Sequence, residues 1–209
     1  MKIVVFGSTG DTGIELVKQA IQRGHEVTAF ARDPSKTSLS DSKLRFVKGD
    51  VLDLKTVTAA VAGAQAAISA LGVRLGQSPG TVRSEGTRNI VSALTAANVR
   101  RFVSVSTVGV GDSLNRLSFF AGVFLPRIIG AQRLKEAERQ EEIIRQSSLE
   151  WTILRPTRLV NEAAAGRYKI GSDLHTGMGS KLARADLAAA LLEQLEKTDF
   201  VRQTPTVTY

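Results

Sequence analysis

A buried-strand pattern that runs into three evenly spaced glycines constrains the fold of this chain more than any other feature. The apolar run 3–6 leads directly into Gly7, Gly10 and Gly13. After the last glycine, apolar residues recur at helical spacing, at Ile14, Val17, Ala20 and Ile21. A strand, a tight turn and a helix in this order predict the first βα unit of an α/β sheet.

Each of the three glycines has a distinct expected role. Gly7 allows the chain to turn, Gly10 allows a diphosphate to approach the backbone, and Gly13 allows the helix to pack on the strand. The unpaired N–H groups and the positive dipole end of the helix attract phosphate. The dinucleotide-binding fingerprint, however, begins Gly-x-Gly, and an ordinary strand–turn–helix connection can carry the glycines found here.

The end of the next predicted strand, 26–31, indicates which nicotinamide cofactor such a site takes. Arg32 follows this strand, nineteen residues after Gly13, and Lys36 lies four residues later. NAD sites place an Asp or Glu here for the ribose hydroxyls, whereas NADP sites place an arginine for the 2′-phosphate. Asp33 precedes a proline and is expected to open a turn. The pattern predicts NADPH, and the alternative for Arg32 is a solvated loop charge.

Strand and helix patterns alternate along the rest of the chain. Further strands are predicted at 44–47, 66–71, 101–105 and 151–154, and an edge strand at 206–209. Helices are predicted at 54–61, 85–97, 131–147 and 181–195, and loops at 34–43 and 73–80. This alternation predicts a single Rossmann-like α/β domain over residues 1–209, with a doubly wound parallel sheet and helices on both faces.

Ligands of such sheets bind beyond the carboxyl ends of the strands, where the strand order reverses. The segments that follow strands should therefore line one site. They are 7–13, 32–36, 50–51, 71–74, 106–107 and 156–158.

Composition excludes several kinds of chemistry. The chain has no cysteine, so it can form no disulfide, thiol nucleophile or thiolate metal site. Its two histidines, His25 and His175, are too far apart in sequence to form a metal-spaced cluster, and no metal site is predicted. His25 lies between a helix and a strand and is expected to be a surface loop residue.

The net charge of +8 and the pI near 10.1 predict an anionic partner. The basic residues are scattered, without a run of cations and interleaved aromatics, so nucleic acid is not expected. No apolar run is long enough to span a membrane, and the N-terminus lacks a secretory pattern. A cytoplasmic protein is expected, either a monomer or a weak homo-oligomer.

Several motifs together resemble one protein family. They are the stretches 6–13 (FGSTGDTG), 32–36 (RDPSK), 49–52 (GDVL), 71–74 (LGVR), 84–91 (SEGTRNIV) and 186–187 (DL). The chain resembles the atypical short-chain dehydrogenase/reductases, in the NAD(P)-binding group that includes NmrA-like proteins. Within that group it is most similar to the flavin reductase/biliverdin-IXβ reductase family. The resemblance covers most of the chain except about 108–140.

The resemblance implies a Rossmann-like domain that binds NADPH and passes hydride to a flavin or a linear tetrapyrrole. By position, Thr9, Gly10, Thr12 and Gly13 would meet the diphosphate, with Gly7 and Asp11 in the same turn. Arg32 and Lys36 would hold the 2′-phosphate, and Asp50 and Val51 the adenine. Leu71, Gly72 and Arg74 would lie along the ribose and diphosphate, and Ser106, Pro156 and Thr157 complete the cofactor set.

The residues predicted to act in catalysis are Ser106, Thr107 and Arg158. The family has a Thr-Ser pair beside the nicotinamide, which this chain carries in swapped order. The family's histidine after the sixth strand is matched by Arg158, and residues 114–130 also depart from the family pattern. Arg83, Arg155 and Arg158 are expected to attract an anionic acceptor; for Arg83 and Arg155 the alternative is a surface or ion-pair arginine.

The Tyr-x-x-x-Lys pair of ordinary short-chain dehydrogenases is missing, because the residue four before Lys135 is Ala131. Flavin reduction does not need that pair, since water can supply the proton. The leading hypothesis is therefore an NADPH-dependent reductase of a small planar acceptor: a flavin, a linear tetrapyrrole or a quinone. The alternatives are a non-catalytic NmrA-like NADP sensor and a nucleic-acid-binding Rossmann protein.

The apolar segment 117–125 holds three of the eight phenylalanines and no charged residue. It is expected either to form an apolar platform for the acceptor or to be an amphipathic helix in the core or at a subunit contact.

Overall fold

The computed structural model describes residues 1–73 and 77–209, with the backbone alone described at 125 and 126. The strands are β1 (Lys2–Phe6), β2 (Glu26–Ala31), β3 (Leu44–Lys48), β4 (Ala66–Ser69), β5 (Arg101–Val105), β6 (Glu150–Pro156), β7 (Arg158–Val160), β8 (Lys169–Gly171), β9 (Lys181–Ala183) and β10 (Thr206–Thr208). The α-helices are α1 (Asp11–Gln22), α2 (Leu54–Val61), α3 (Val82–Ala96), α4 (Phe119–Ile129), α5 (Ala131–Arg145) and α6 (Arg184–Glu196). Short 3-10 helices form at Pro34–Lys36 and Gly111–Arg116.

Eight strands form one sheet in the order β3-β2-β1-β4-β5-β6-β10-β8, and β7 pairs with β9 separately. Neighbours from β3 to β10 are parallel, whereas β8 runs antiparallel to β10. The predicted doubly wound sheet is thus confirmed, with one antiparallel strand added at its edge. Strand order reverses between β1 and β4, the point at which open α/β sheets bind ligands. We call the side where β1–β6 end the carboxyl edge.

Both faces of the sheet are covered, because the central strands are apolar on both sides. In β1, Ile3 and Val5 face the core beneath α1 and α6, whereas Val4 and Phe6 face the core beneath α2, α3 and α5. Successive side chains of a strand point to opposite faces, so an uninterrupted apolar strand needs a helical layer on each side. These two cores fix the strand ends that form the carboxyl edge.

Two predicted elements are placed differently by the structure. The C-terminal strand is not at an edge, since β10 lies between β6 and β8 and is buried along its length. The short β8, which lacks a clear strand pattern, covers it. The helix predicted from residue 181 begins at Arg184, because Lys181–Ala183 pairs with β7 as a strand.

His25 is buried, so its prediction as a surface loop residue is wrong. The side chain is 4% exposed, and its Nε2 lies 3.9 Å from Glu196 Oε1 at the end of α6. Neither ring nitrogen makes a hydrogen bond within residues 1–73 and 77–209. Burial and the nearby N-terminal amino group lower the pKa of His25. The connection between α1 and β2 is so short that it holds this residue against α6.

In the described part of the chain, the helices lack the combination of length and apolar character that crossing a bilayer requires.

Candidate functional site

The glycine turn after β1 has the geometry expected for two of its three glycines. Gly7 has a φ of +77°, and a Cβ there would lie 2.8 Å from the carbonyl oxygen of Ala70. A Cβ on Gly13 would lie 2.1 Å from the carbonyl oxygen of Gly7, well inside contact distance. The turn and the close packing of α1 on the strand therefore require glycine at both positions, as predicted.

Gly10 differs, because the packing of the protein around this position does not require glycine. A Cβ there would meet the Gly7 carbonyl oxygen at 3.4 Å, which is ordinary contact. Gly10 is the N-cap of α1, and it has no side chain that could accept a hydrogen bond from the first-turn amides. These amides point toward the carboxyl edge, where a phosphate would satisfy them. Around them Thr9 and Thr12 are half-buried, and Asp11 is exposed.

The end of β2 lies beside this turn and carries two exposed cations. Ser8 Oγ donates to the Phe30 carbonyl oxygen at 2.9 Å, which ties the turn to β2. Arg32 and Lys36 are exposed, and no carboxylate of the described residues lies within 4 Å of their nitrogens. Asp33 opens the 3-10 turn between them by accepting from Ser35, as predicted, and this hydrogen bond lowers its pKa.

The end of β3 brings Asp50 and Val51 to the same edge. The Gly49 N–H donates to the carbonyl oxygen of β2 residue Ala31 at 3.0 Å, so this segment lies beside Arg32. Asn89 of α3 donates to the Val51 carbonyl oxygen at 2.9 Å. Asp50 is half-buried, and one of its carboxylate oxygens accepts from the Leu52 N–H. α3 thereby fixes the pair predicted to meet the adenine.

Ser106 is a buried hydroxyl at the carboxyl end of β5. Its side chain is 2% exposed, and its Oγ has no hydrogen-bond partner among the described residues. Its N–H donates to the Leu154 carbonyl oxygen of β6 at 2.8 Å, which fixes its position. Thr107 is half-buried, and its hydroxyl donates to the carbonyl oxygen of the next residue at 3.2 Å. A buried hydroxyl without a partner is costly unless a ligand supplies one.

The remaining predicted residues lie in the sequence at or just beyond the ends of β4 and β6. Leu71 is buried and Gly72 is exposed just beyond β4, whereas Arg74 lies outside the described residues. Pro156 and Thr157 are buried, and the Thr157 hydroxyl is hydrogen-bonded to that of Thr208 at 3.1 Å. Arg158 is exposed on β7, directly after them.

Arg155 does not face an acceptor, so that part of the prediction is wrong. Its guanidinium is fully buried, with Nε and Nη2 on Glu141 at 2.9 and 2.7 Å and Nη1 on Asp112 at 2.7 Å. Burial alone would lower the pKa of Arg155, but these two carboxylates raise it. The arginine joins β6 to α5 and to the 3-10 helix after β5, the alternative role that the sequence left open.

The apolar segment 117–125 forms part of α4, and its aromatic side chains lie outside the core. Phe119 is 80% exposed and Phe120 is 67% exposed, with Phe124 also exposed. α4 leads through Gly130 into α5, whose Arg133 donates to the carbonyl oxygens of residues 73 and 77. α4 therefore stands on the carboxyl side of the sheet, beside the segment that follows β4.

A cavity of about 550 Å³ lies beside the first turn of α1. It extends from Asp11 to Asn161 and Glu162 after β7, and to Arg184 at the start of α6. Arg184 Nε lies 3.7 Å from an Asp11 carboxylate oxygen. Of these four residues, the sequence pattern predicted only Asp11 as part of the site, because the segment after β7 has no regular pattern. The cavity shares Asp11 with the glycine turn.

This arrangement fits a nicotinamide dinucleotide. Uncapped helix amides, two exposed cations and a buried hydroxyl without a partner all lie along one edge, on adjacent strands β2, β1, β4 and β5. The cations and the amides match phosphates, and the hydroxyl can hydrogen-bond an uncharged polar group.

Comparison with known proteins identifies the family. The sequence profile of a family described as NAD(P)H-binding matches residues 7–198. An uncharacterized chloroplastic protein of Arabidopsis thaliana is 32% identical over 212 aligned positions, which cover 94% of this chain and 74% of that protein.

Solved structures share the fold. A short-chain dehydrogenase/reductase from Veillonella parvula, solved with NADP, superimposes with a TM-score of 0.83 at 19% identity. The alignment covers 100% of this chain and 94% of the Veillonella chain. ChuY, an anaerobillin reductase from Escherichia coli O157:H7, gives a TM-score of 0.81 at 23% identity, and the alignment covers 99% of this chain and 96% of ChuY. With a family profile that spans most of its length, the chain belongs to the NAD(P)H-binding family, in the NmrA-like group of atypical short-chain dehydrogenase/reductases.

Proposed function

We propose that the protein is an NADPH-dependent reductase that passes hydride to a planar conjugated acceptor: a flavin, a linear tetrapyrrole or a quinone. The observation that carries the proposal is Ser106, whose buried hydroxyl lacks a partner in the described chain beyond the end of β5. A hydroxyl there, next to Thr107, can orient the nicotinamide or the acceptor. The exposed Arg32 and Lys36 at the other end of the edge support NADPH over NADH.

When bound, NADPH supplies a hydride from C4 of the nicotinamide. The contribution of this chain is orientation and charge. The first-turn amides of α1 hold the diphosphate, Arg32 and Lys36 hold the 2′-phosphate, and Ser106 and Thr107 fix the reactive end. Two groups held face to face react far faster than two groups that meet in solution, so binding geometry alone accelerates transfer.

We infer the class of acceptor from the absence of a catalytic tyrosine in α5. Ala131 stands where an ordinary short-chain dehydrogenase has its tyrosine, and Lys135 is exposed. An alcohol or ketone substrate needs a protein acid to exchange the proton. A flavin receives hydride at N5 and takes its proton from water, so it needs no such residue.

The test is NADPH oxidation followed at the nicotinamide absorption band, with FMN, menadione and biliverdin offered separately. We expect saturable turnover with at least one acceptor. Ser106→Ala should lower kcat/KM by about tenfold or more, since a hydrogen bond to a buried group contributes roughly 1.5 kcal/mol. Without cofactor its melting temperature should not fall and should rise slightly, because alanine removes a buried hydroxyl that has no partner in the described chain.

Thr58→Val is the matched control, because Thr58 is an exposed hydroxyl residue on α2. It should leave both activity and melting temperature unchanged. Absence of turnover with every acceptor would contradict the proposal, as would a Ser106→Ala variant with full activity.

The exposed phenylalanines of α4 favour a second candidate function, an NADP-responsive regulator that binds a protein partner through this helix. Tight NADPH binding without turnover, together with a partner that is lost on Phe119→Ser, would support it.

A further inference from the structure

We propose that Arg83 binds the anionic group of the acceptor, so that this site selects planar acceptors that carry a phosphate or a carboxylate. The inference rests on the proposed reductase function and adds to it the chemical class of the acceptor. It concerns the first turn of α3, and the resemblance assigns no role to this residue.

Arg83 lies at the carboxyl edge, beside the segment that follows β4. Its Nε donates to the Leu71 carbonyl oxygen at 3.4 Å. In the register of β4 and β5, Ser69 pairs with Ser104, so Leu71 and Ser106 each lie two residues beyond that pair. Adjacent strands are about 4.8 Å apart. Arg83 is therefore held at the end of β4, the strand next to the one that Ser106 follows.

The positive charge of Arg83 has no direct counter-ion. The side chain is half-buried, yet no carboxylate in the described ranges lies within 4 Å of its nitrogens. The two acidic residues that act on its charge, Glu141 and Glu136, make their close contacts elsewhere. Glu141 binds Arg155 and Arg145, and the carboxylate oxygens of Glu136 accept from Ser84 and Arg139.

The surroundings of Arg83 also disfavour its positive charge. Burial is the main cause that lowers the pKa of Arg83 to about 10; Glu141 opposes the shift and Arg133 adds to it. At neutral pH the guanidinium is still charged, and it is both desolvated and unpaired. An anion placed there would gain a charge-assisted hydrogen bond, and a planar guanidinium can grip a phosphate or carboxylate with two N–H groups.

The surroundings of Arg155 show why Arg83 is the better receptor. Arg155 is fully buried and Arg83 is half-buried, but Arg155 already has two carboxylates in contact. Arg158, the third predicted cation, is exposed and well hydrated, so it gains less from an incoming anion. Of the three arginines predicted to attract the acceptor, Arg83 alone is shielded and lacks a counter-ion within the described chain.

The test uses FMN and riboflavin, which share the same redox-active ring and differ in the terminal phosphate. We expect the wild-type protein to bind FMN about tenfold more tightly than riboflavin, as a charge-assisted hydrogen bond implies. Arg83→Met keeps the aliphatic stem and removes the charge, and should bring the two affinities within about twofold. Arg83→Lys should retain part of the preference, because it keeps the charge without the fork.

Two readouts are needed: flavin fluorescence quenching by the NADP-loaded protein, and KM for each flavin and for NADPH. The matched control is Arg88→Met on the same helix, since Arg88 is exposed and paired with Glu85. It should keep the preference for FMN. Equal affinity for both flavins in the wild type would overturn the inference. So would an Arg83→Met variant that weakens both flavins equally, or one that raises KM for NADPH instead.

The two proposals fail differently. If flavins are reduced without any preference for FMN, the reductase stands and the role of Arg83 falls. If FMN binds better than riboflavin, depends on Arg83 and is never reduced, the anion site stands and the reductase falls.

Discussion

Replacing Gly13 with alanine should destabilise the fold, whereas the same change at Gly10 should leave the fold intact and weaken cofactor binding. The two glycines lie three residues apart in one turn, but their missing side chains serve different purposes. At Gly13 the space is filled by the protein's own backbone. At Gly10 the space is open, and we propose that a diphosphate occupies it.

The distances set the expected size of each effect. A Cβ on Gly13 would lie 2.1 Å from the Gly7 carbonyl oxygen, so α1 or the turn must move by about 1 Å to restore contact distance. Such overpacking costs about 3 kcal/mol, or a fall in melting temperature of roughly 6–12 °C for a chain of this size. A Cβ on Gly10 has 3.4 Å of clearance and a backbone conformation that alanine adopts freely. Its effect on stability should stay within about 1 kcal/mol.

Thermal unfolding without cofactor measures the first effect, and titration of nicotinamide fluorescence measures the second. Gly10→Ala should raise the Kd for NADPH by about tenfold or more, equivalent to ~1.4 kcal/mol. A Gly13→Ala variant as stable as the wild type would refute the packing argument. A Gly10→Ala variant with unchanged affinity would refute the diphosphate position.

Three further perturbations test other parts of the account. Arg32→Ala should raise the Kd for NADPH about tenfold and leave that for NADH nearly unchanged, because NADH has no 2′-phosphate; equal losses would remove this role. Glu141→Gln should cost about 3–5 kcal/mol in urea unfolding, since it leaves Arg155 buried with a weakened partner, whereas Glu142→Gln on the exposed face should cost little. The lowered pKa of His25 means that the unfolded chain takes up a proton first as pH falls below 6.5. Stability should therefore fall on acidification from about pH 7 to 5.5, and His25→Phe should flatten that slope; an unchanged slope would show that His25 is not the cause.

Local patterns were sufficient to predict the parallel strands β1–β6 and their helical layers. Parallel strands buried on both faces appear as continuous apolar runs, and the run 3–6 is followed by a turn whose Gly7 and Gly13 are required by backbone distances alone. Local chemistry also placed the turn at Asp33. The short strands β7, β8 and β9 were missed, because three-residue segments carry no period and form through partners distant in the chain.

The arginines show where sequence reasoning stops. Arg83 and Arg155 look alike in the sequence, where both have the same expected role and the same alternative. Only the packing of α5 decides that Glu141 reaches Arg155 and leaves Arg83 without a contact of that kind in the described chain. The same holds for His25 and for the Ser106 hydroxyl, since burial and the absence of a partner depend on tertiary neighbours.

The most direct test of the central claim is an anaerobic single turnover with one equivalent each of protein, NADPH and FMN. We predict that the flavin absorbance and the NADPH absorbance fall together, with one NADPH oxidised for each flavin reduced. Deuterium at the transferred position of NADPH should slow both absorbance changes. Tight binding of NADPH with no loss of flavin absorbance, under conditions where menadione and biliverdin are also unreduced, would contradict a reductase.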